Sequence, residues 1–227
     1  MSESMGLSVV LPAYNEEDNI VPLLEEALTE LEKLRPHLQQ VCRALEPAHV
    51  SGEGSRENSA VSYEIIVVND GSHDDTGKRA DKMAQRHPEL IRCISHERNL
   101  GYGAALRRGF DLARYPLVFY TDSDRQFSIG DLRYFLPHIV ENDLVVGFRV
   151  YRYDPLLRLF LSWGYNRLVR LLFRVRVRDV DCSFKLMRRE VLESIDLETD
   201  DFFIDTELVA RARRWNFRIF EKGVKHY

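Results

Sequence analysis

Two carboxylates spaced by one residue, Asp122 and Asp124, close an apolar run at residues 117–120, and an amide, Gln126, follows two positions later. The run Leu117-Val118-Phe119-Tyr120 is short, aromatic and β-branched, which predicts a buried strand. Residues i and i+2 of an extended segment point the same way. Both carboxylates can therefore face one hard cation, with Gln126 adding a neutral oxygen. Oxygen ligands of this kind suit Mg²⁺ or Mn²⁺, ions that share their shell with substrate phosphates. A polar turn would use the same residue types. The position after a buried strand, and two further polar motifs upstream, favour the metal reading.

Those motifs follow their own apolar runs. Residues 7–11 read as a first strand ended by Pro12, with Ala13-Tyr14-Asn15-Glu16 as the loop after it. Asn19 is placed to cap the next helix, and Pro22 falls in its first turn, where a missing N–H is harmless. Apolar residues then repeat at helical spacing from Ile20 to Leu34, and Pro36 marks the end. Residues 64–68 read as a second strand, followed at once by Asn69-Asp70-Gly71-Ser72. A helix over 76–86, a strand over 91–94, and a helix from the Gly101-Tyr102-Gly103 loop to about residue 114 come next. After the strand at 117–120, a helix over 129–140 and a strand over 144–146, ended by Gly147-Phe148-Arg149, are predicted.

Strands alternating with helices predict an α/β fold whose central sheet is mostly parallel, with helices on both faces. Ligands of such sheets bind outside the carboxyl ends of the strands. Parallel strands would bring 12–16, 69–72 and 122–126 to one edge. This convergence predicts a nucleotide–metal site from the residues alone.

The 227 residues fit one domain, with a polar insertion at 47–62 rich in Gly, Ser, Glu and Asn. A hydrophobic fraction of 44% and a charged fraction of 30% are those of a globular protein, and the net charge of −4 argues against nucleic acid as a partner. Cys42, Cys93 and Cys182 fit neither a zinc pattern nor a disulfide framework, as expected of reduced thiols in the cytoplasm. The N-terminus lacks the basic and apolar regions of a signal peptide, and no apolar run is long enough to span a bilayer.

Pro12-Ala13-Tyr14-Asn15-Glu16, Val67-Val68-Asn69-Asp70-Gly71-Ser72, Asn99-Leu100-Gly101 and Asp122-Ser123-Asp124, in that order, resemble the signature of family 2 glycosyltransferases. Gly147-Phe148-Arg149 and Val180-Asp181-Cys182-Ser183-Phe184-Lys185-Leu186 resemble its dolichyl- and polyprenyl-phosphate branch. The resemblance implies a Rossmann-like GT-A fold, a UDP- or GDP-sugar donor, Mg²⁺ or Mn²⁺, inversion at the anomeric carbon and a polyprenyl-phosphate acceptor. By position it implies that Pro12, Ala13, Tyr14, Glu16, Asp70, Asn99, Gly101, Asp122 and Ser123 bind the nucleotide sugar. Asp122, Asp124 and Gln126 match the metal and diphosphate motif; Ser123 stands where many relatives carry Ala or Gly.

Asp205, at the expected start of a helix carrying Arg211, Arg213 and Arg214, matches an acidic residue that acts as general base in many members. A helix cap at Asp205 and a Glu207–Arg211 pair are the structural alternative. Arg149 is expected to hold the acceptor phosphate, since a planar guanidinium suits phosphate, and Lys185 is a second candidate beside Asp179 and Asp181. Surface ion pairing is the default for Lys185, Asp179 and Asp181 and the lesser alternative for Arg149. Asp124, Arg149 and Asp205 are thus the expected catalytic residues. Within 156–173 an apolar face with Tyr165 opposes Arg167, Arg170 and Arg174, the pattern of a helix lying on a membrane surface or against a core. With the branch resemblance it implies a peripheral protein on the cytoplasmic face of a membrane. Around 173–180 alternation predicts a strand. Competing functions are transfer to a saccharide hydroxyl, sugar nucleotidyl transfer, and nucleotide-sugar binding without catalysis.

Overall fold

The computed structural model describes residues 5–45, 61–150 and 177–227, together with Gly164 and Arg167. The segment 156–173, apart from those two residues, and the insertion at 47–60 lie outside the described residues. Val61 is buried and Ser62 already opens a strand, so the insertion is shorter at its end than the composition indicates.

Seven strands form one sheet in the order β3-β2-β1-β4-β6-β5-β7. They are β1 (Gly6–Ala13), β2 (Ser62–Asn69), β3 (Ile91–Ser95), β4 (Leu117–Tyr120), β5 (Leu144–Arg149), β6 (Lys185–Arg188) and β7 (Ile219–Val224). β6 pairs antiparallel with both β4 and β5; every other pairing is parallel. β4 and β5 therefore run the same way, and the expected parallel sheet holds with one reversed strand. Four strands run further than the sequence indicated, β2 and β3 by one or two residues at an end. β1 continues through Pro12, which is paired with Val68, and β5 continues through Gly147 to Arg149. The alternation around 173–180 forms no strand over Val177–Val180.

Period-two burial divides the strands between two cores. Leu7, Val9 and Leu11 of β1, Ile65 and Val67 of β2, and Phe119 of β4 face one cluster. Val10, Ile66, Val68, Val118 and Tyr120 face the other. Helices α1 (Ile20–Leu45) and α2 (Thr76–Arg86) cover the first face. Helices α3 (Tyr102–Leu112), α4 (Arg189–Ser194) and α5 (Ile204–Arg214) cover the second. Each fully buried Val or Leu in these layers contributes roughly 1.5–3 kcal/mol.

Three helix expectations fail for instructive reasons. α1 runs through Pro36, because Leu31, Leu34, Leu38, Val41 and Cys42 continue one buried stripe past it. Asn19 does not cap α1; its amide donates to Glu16 Oε2 at 2.7 Å. The segment 129–140 is not an α-helix but two 3₁₀ helices, Ile129–Tyr134 and Leu136–Val140. Its buried residues, Ile129, Leu132 and Phe135, then Leu136 and Ile139, recur every three positions, the 3₁₀ period. Pro137 also removes an N–H that an α-helix would need.

Candidate active site

The carboxyl ends of β1, β2 and β4 meet at a cleft of about 480 Å³. Pro12 and Ala13 close β1, Asp70 follows β2, and Asp122, Ser123 and Asp124 follow β4; all line the cleft with Tyr14, Glu16, Asn99 and Gly101. Every residue expected to bind the nucleotide sugar is thus brought together. A larger cavity of about 740 Å³ lies between α3 and α4 and holds none of these residues.

Hydrogen bonds between loops fix the walls. Asn15 N–H donates to Ser72 Oγ (3.0 Å), His73 N–H to Asn15 Oδ1 (2.9 Å), and Glu16 N–H to Thr76 Oγ1 (2.7 Å). Ser123 Oγ donates to the Pro12 carbonyl at 2.8 Å, tying the loop after β4 to β1. Asp70, 3% exposed, accepts from Leu100 N–H and Gly101 N–H, both at 2.9 Å, and contacts His96 Nδ1 at 2.8 Å. Its carboxylate organises the loop before α3. The start of α3 is closed in the same way: the Asp200 carbonyl accepts from Gly103 N–H (2.8 Å) and Ala104 N–H (3.3 Å). The glycine loop is therefore a helix entry docked on another loop, and these N–H groups do not point at a phosphate. Gly101 has φ +106°, and a Cβ there would collide with the Asp200 carbonyl.

The two carboxylates after β4 differ. Asp122 accepts from Tyr102 Oη at 2.8 Å and from Ser183 Oγ. Burial pushes its pKa up to about 7; the Ser183 and Tyr102 bonds oppose this, and the charges of Asp205 and Asp124 add to it. Asp124 accepts the Gln126 N–H at 3.0 Å with one oxygen, and it lines the cleft. Gln126 does not line it: its side-chain oxygen meets His226 Nε2 at 2.9 Å and its carbonyl accepts the Tyr227 N–H at 3.0 Å. Among the described residues no three His, Cys, Asp or Glu side chains converge as a metal cage. What the cleft offers instead is one-sided charge. Glu16, Asp70, Asp122, Asp124 and Asp201 line it, and no Lys, Arg or His among the described residues does.

The remaining expected residues sit beside the cleft. Lys185 is fully buried in β6, and its Nζ donates to the Cys182 carbonyl (2.6 Å) and to Asp205 Oδ1. Tyr120 Oη donates to the same Asp205 oxygen, and Lys185 lies 5.3 Å from the Tyr120 ring centre. Lys185 as an acceptor-phosphate contact is therefore corrected: no face of it is open. Asp205, 3% exposed, is neither a helix cap nor open to the cleft, whereas Glu207 does pair with Arg211 at 2.8 Å. Arg149 stands on the same sheet edge as Asp124, as expected, but its guanidinium already grips Asp179 by two bonds of 2.7 and 2.9 Å. Burial opposes its charge, and Asp179 outweighs burial to push its pKa up. Asp181, close by, is pushed up to about 6 by burial and by Asp205. Gly147 lets β5 lie close to the segment before β6, since a Cβ would meet the Phe184 carbonyl at 2.8 Å.

Tyr102, Ala105, Asp201 and Phe202 complete the cleft and were not among the expected residues. A local signal existed for two of them: Asp201 and Phe202 sit in an acidic–aromatic run just before α5.

A model described as glycosyl transferase family 2 matches residues 54–196 of the chain. The glycosyltransferase AglD of Haloferax volcanii is 33% identical over 224 residues, covering 95% of this chain and 32% of the relative. A dolichyl-phosphate beta-glucosyltransferase of Mus musculus is 30% identical over 239 residues, covering 98% of this chain and 68% of the relative. The chain thus spans about a third of the first relative and about two-thirds of the second. A glucosyl-3-phosphoglycerate synthase from Mycobacterium tuberculosis, solved with Mn²⁺, UDP and glucosyl-3-phosphoglycerate, superposes with a TM-score of 0.64 at 22% identity, over 99% of this chain and 72% of that one.

Proposed function

The chain belongs to glycosyl transferase family 2 and has a GT-A fold, and from that premise we propose that it moves a hexose from a nucleoside diphosphate to a polyprenyl phosphate, with a divalent cation and with inversion. The observation that carries this reading is the cleft lined by five carboxylates and by no basic residue among those described. A nucleoside diphosphate entering it would meet only like charge. A hard cation removes that conflict, and carboxylate oxygens are its preferred donors. Asp124, which faces the cleft with one oxygen bonded only to a loop N–H, is the residue fitted to hold it, with Asp122 beside it. When bound, the cation neutralises the charge that develops on the departing nucleoside diphosphate.

The protein's own residues shape the rest. Pro12, Tyr14 and Asn99 line the nucleotide end, while Asp70 holds the loop that carries Asn99 and Gly101 in place. Asp205, the candidate base, is buried against Lys185, which favours an acceptor that brings an ionised oxygen and needs no base. A phosphate oxygen is such a nucleophile, and its direct attack on the anomeric carbon inverts it. Arg149 meets that phosphate by exchanging its Asp179 partner. The similarity to the mouse dolichyl-phosphate beta-glucosyltransferase supports the same acceptor. The whole chain then acts as one catalytic domain at a membrane surface. No helix among the described residues is long and apolar enough to cross a bilayer. Three cysteines scattered along the sequence fit its cytoplasmic face.

The test is nucleoside-diphosphate release from a panel of UDP- and GDP-sugars, with and without polyprenyl phosphate. Release should require both the lipid phosphate and Mg²⁺ or Mn²⁺, and Asp124→Asn should lower it by roughly a thousandfold while the fold survives. Undiminished turnover in excess chelator would sink the metal assignment. Transfer to free saccharides but never to the lipid phosphate would sink the acceptor.

A further inference from the structure

We propose that Phe202 and Asp201 form the subsite for the sugar of the donor and select a neutral hexose over a hexuronate. This rests on the donor-cleft reading above. Phe202 is 76% exposed, so one face of its ring is open to a ligand in the cleft. Its ring stacks on Tyr102, with centroids 5.1 Å apart and planes at 22°, and both residues line the cleft. The Tyr102 hydroxyl is bonded to Asp122 at 2.8 Å, so Phe202 stands one ring away from the diphosphate end. The nucleotide end, at Tyr14 and Asn99, belongs to the loops after β1 and β3. A sugar joined to the diphosphate would therefore lie against Phe202, where the apolar C–H face of a pyranose meets an aromatic plane.

The platform is fixed before any ligand arrives. The Asp200 carbonyl holds the start of α3, the Asp200 carboxylate grips Arg107, and Asp201 Oδ1 accepts the Phe203 N–H at 2.9 Å. Preorganisation of this kind lowers the entropy lost on binding. Asp201 also sets the charge preference. Its carboxylate lines the cleft, can accept bonds from sugar hydroxyls, and has no cation among the described lining residues to offset it. A hexuronate carboxylate placed there would be repelled.

Calorimetric titration in Mn²⁺ with UDP, UDP-glucose and UDP-glucuronate separates the possibilities, with GDP and GDP-mannose replacing the neutral pair if UDP does not bind. Wild-type protein should bind the neutral nucleotide sugar more tightly than the bare nucleotide, and UDP-glucuronate more weakly than UDP-glucose. Phe202→Ala should weaken the neutral nucleotide sugar about tenfold and leave the bare nucleotide within about twofold, while Phe202→Tyr retains binding. Asp201→Asn, which keeps an oxygen for the Phe203 N–H, should tighten UDP-glucuronate about fivefold. Equal loss of bare nucleotide and nucleotide sugar in Phe202→Ala would mean that the ring stacks on the base, and would overturn the proposal; so would no loss of either. An unchanged UDP-glucuronate affinity in Asp201→Asn would overturn the charge selection. Failure of wild-type protein to bind UDP or GDP at all would instead overturn the donor-cleft reading, and the subsite with it.

Discussion

Burial lifts the Asp122 carboxyl to about 7, although Tyr102 and Ser183 donate to its two oxygens. In the unfolded chain the same group titrates near ~3.9. Between those values the folded protein holds a proton that the unfolded chain has released, so Asp122 makes stability fall as pH rises through that window. Asp122→Asn should therefore raise the melting temperature by several degrees at pH 8 in chelator, and the gap should narrow by pH 5 and close only below about pH 4. Thermal melts of the two proteins at both pH values check this; an equal gap at both would show that the carboxylate's charge is not the cause. Donor binding should be lost in the same variant. At this scale the sequence located the carboxylates by type and spacing, but it did not distinguish Asp122, held by two hydroxyls, from Asp124, left facing the cleft. Ser183 lies 61 positions from Asp122, and no local pattern links them.

At the scale of elements, the loop before α3 joins three parts of the chain. Asp70 from the end of β2 holds Leu100 and Gly101, and the Asp200 carbonyl from the loop before α5 holds Gly103 and Ala104. Gly101→Ala would place a side chain at φ +106° and against that carbonyl. We expect it to destabilise the protein by roughly 1–3 kcal/mol and to weaken nucleotide binding, because Asp70 and Phe202 are anchored through the same loop. Urea unfolding and nucleotide titration of the variant test both; normal stability with normal binding would show the loop to be adaptable. Local periodicity revealed α2 to the residue, since Thr76–Arg86 is what its pattern predicts. It misjudged α1 at Pro36, where burial against the sheet outweighs the lost hydrogen bond, and it misjudged 129–140, which forms two 3₁₀ helices.

For the molecule as a whole, the buried Lys185–Asp205 pair joins β6, the reversed strand, to α5 beneath the cleft, with Tyr120 of β4 as a third member. Taking one partner away leaves a buried charge uncompensated, at about 3–5 kcal/mol. Asp205→Asn should thus lower the melting temperature by ~6–20 °C. The double variant Lys185→Met with Asp205→Leu should recover most of that loss. Loss of transfer by Asp205→Asn with unchanged stability would instead point to a chemical role for Asp205.

The sequence by itself determined the three apolar strands and the polar motifs that follow them. Alternation, turn chemistry and carboxylate spacing are properties of neighbouring residues, and they sufficed to bring 12–16, 69–72 and 122–126 to one edge. Tertiary structure alone decided what those motifs face. β6 runs antiparallel between β4 and β5, a choice of partner that no local period encodes. That choice buries Lys185 with Asp205 across 20 positions and carries Ser183 to Asp122. Asp70 and Gly101 line the cleft as the resemblance implies, and only the folded chain joins them to each other and to the loop before α5. Their hydrogen bonds go to whichever groups packing brings close, and packing depends on the whole sheet and both of its covering layers.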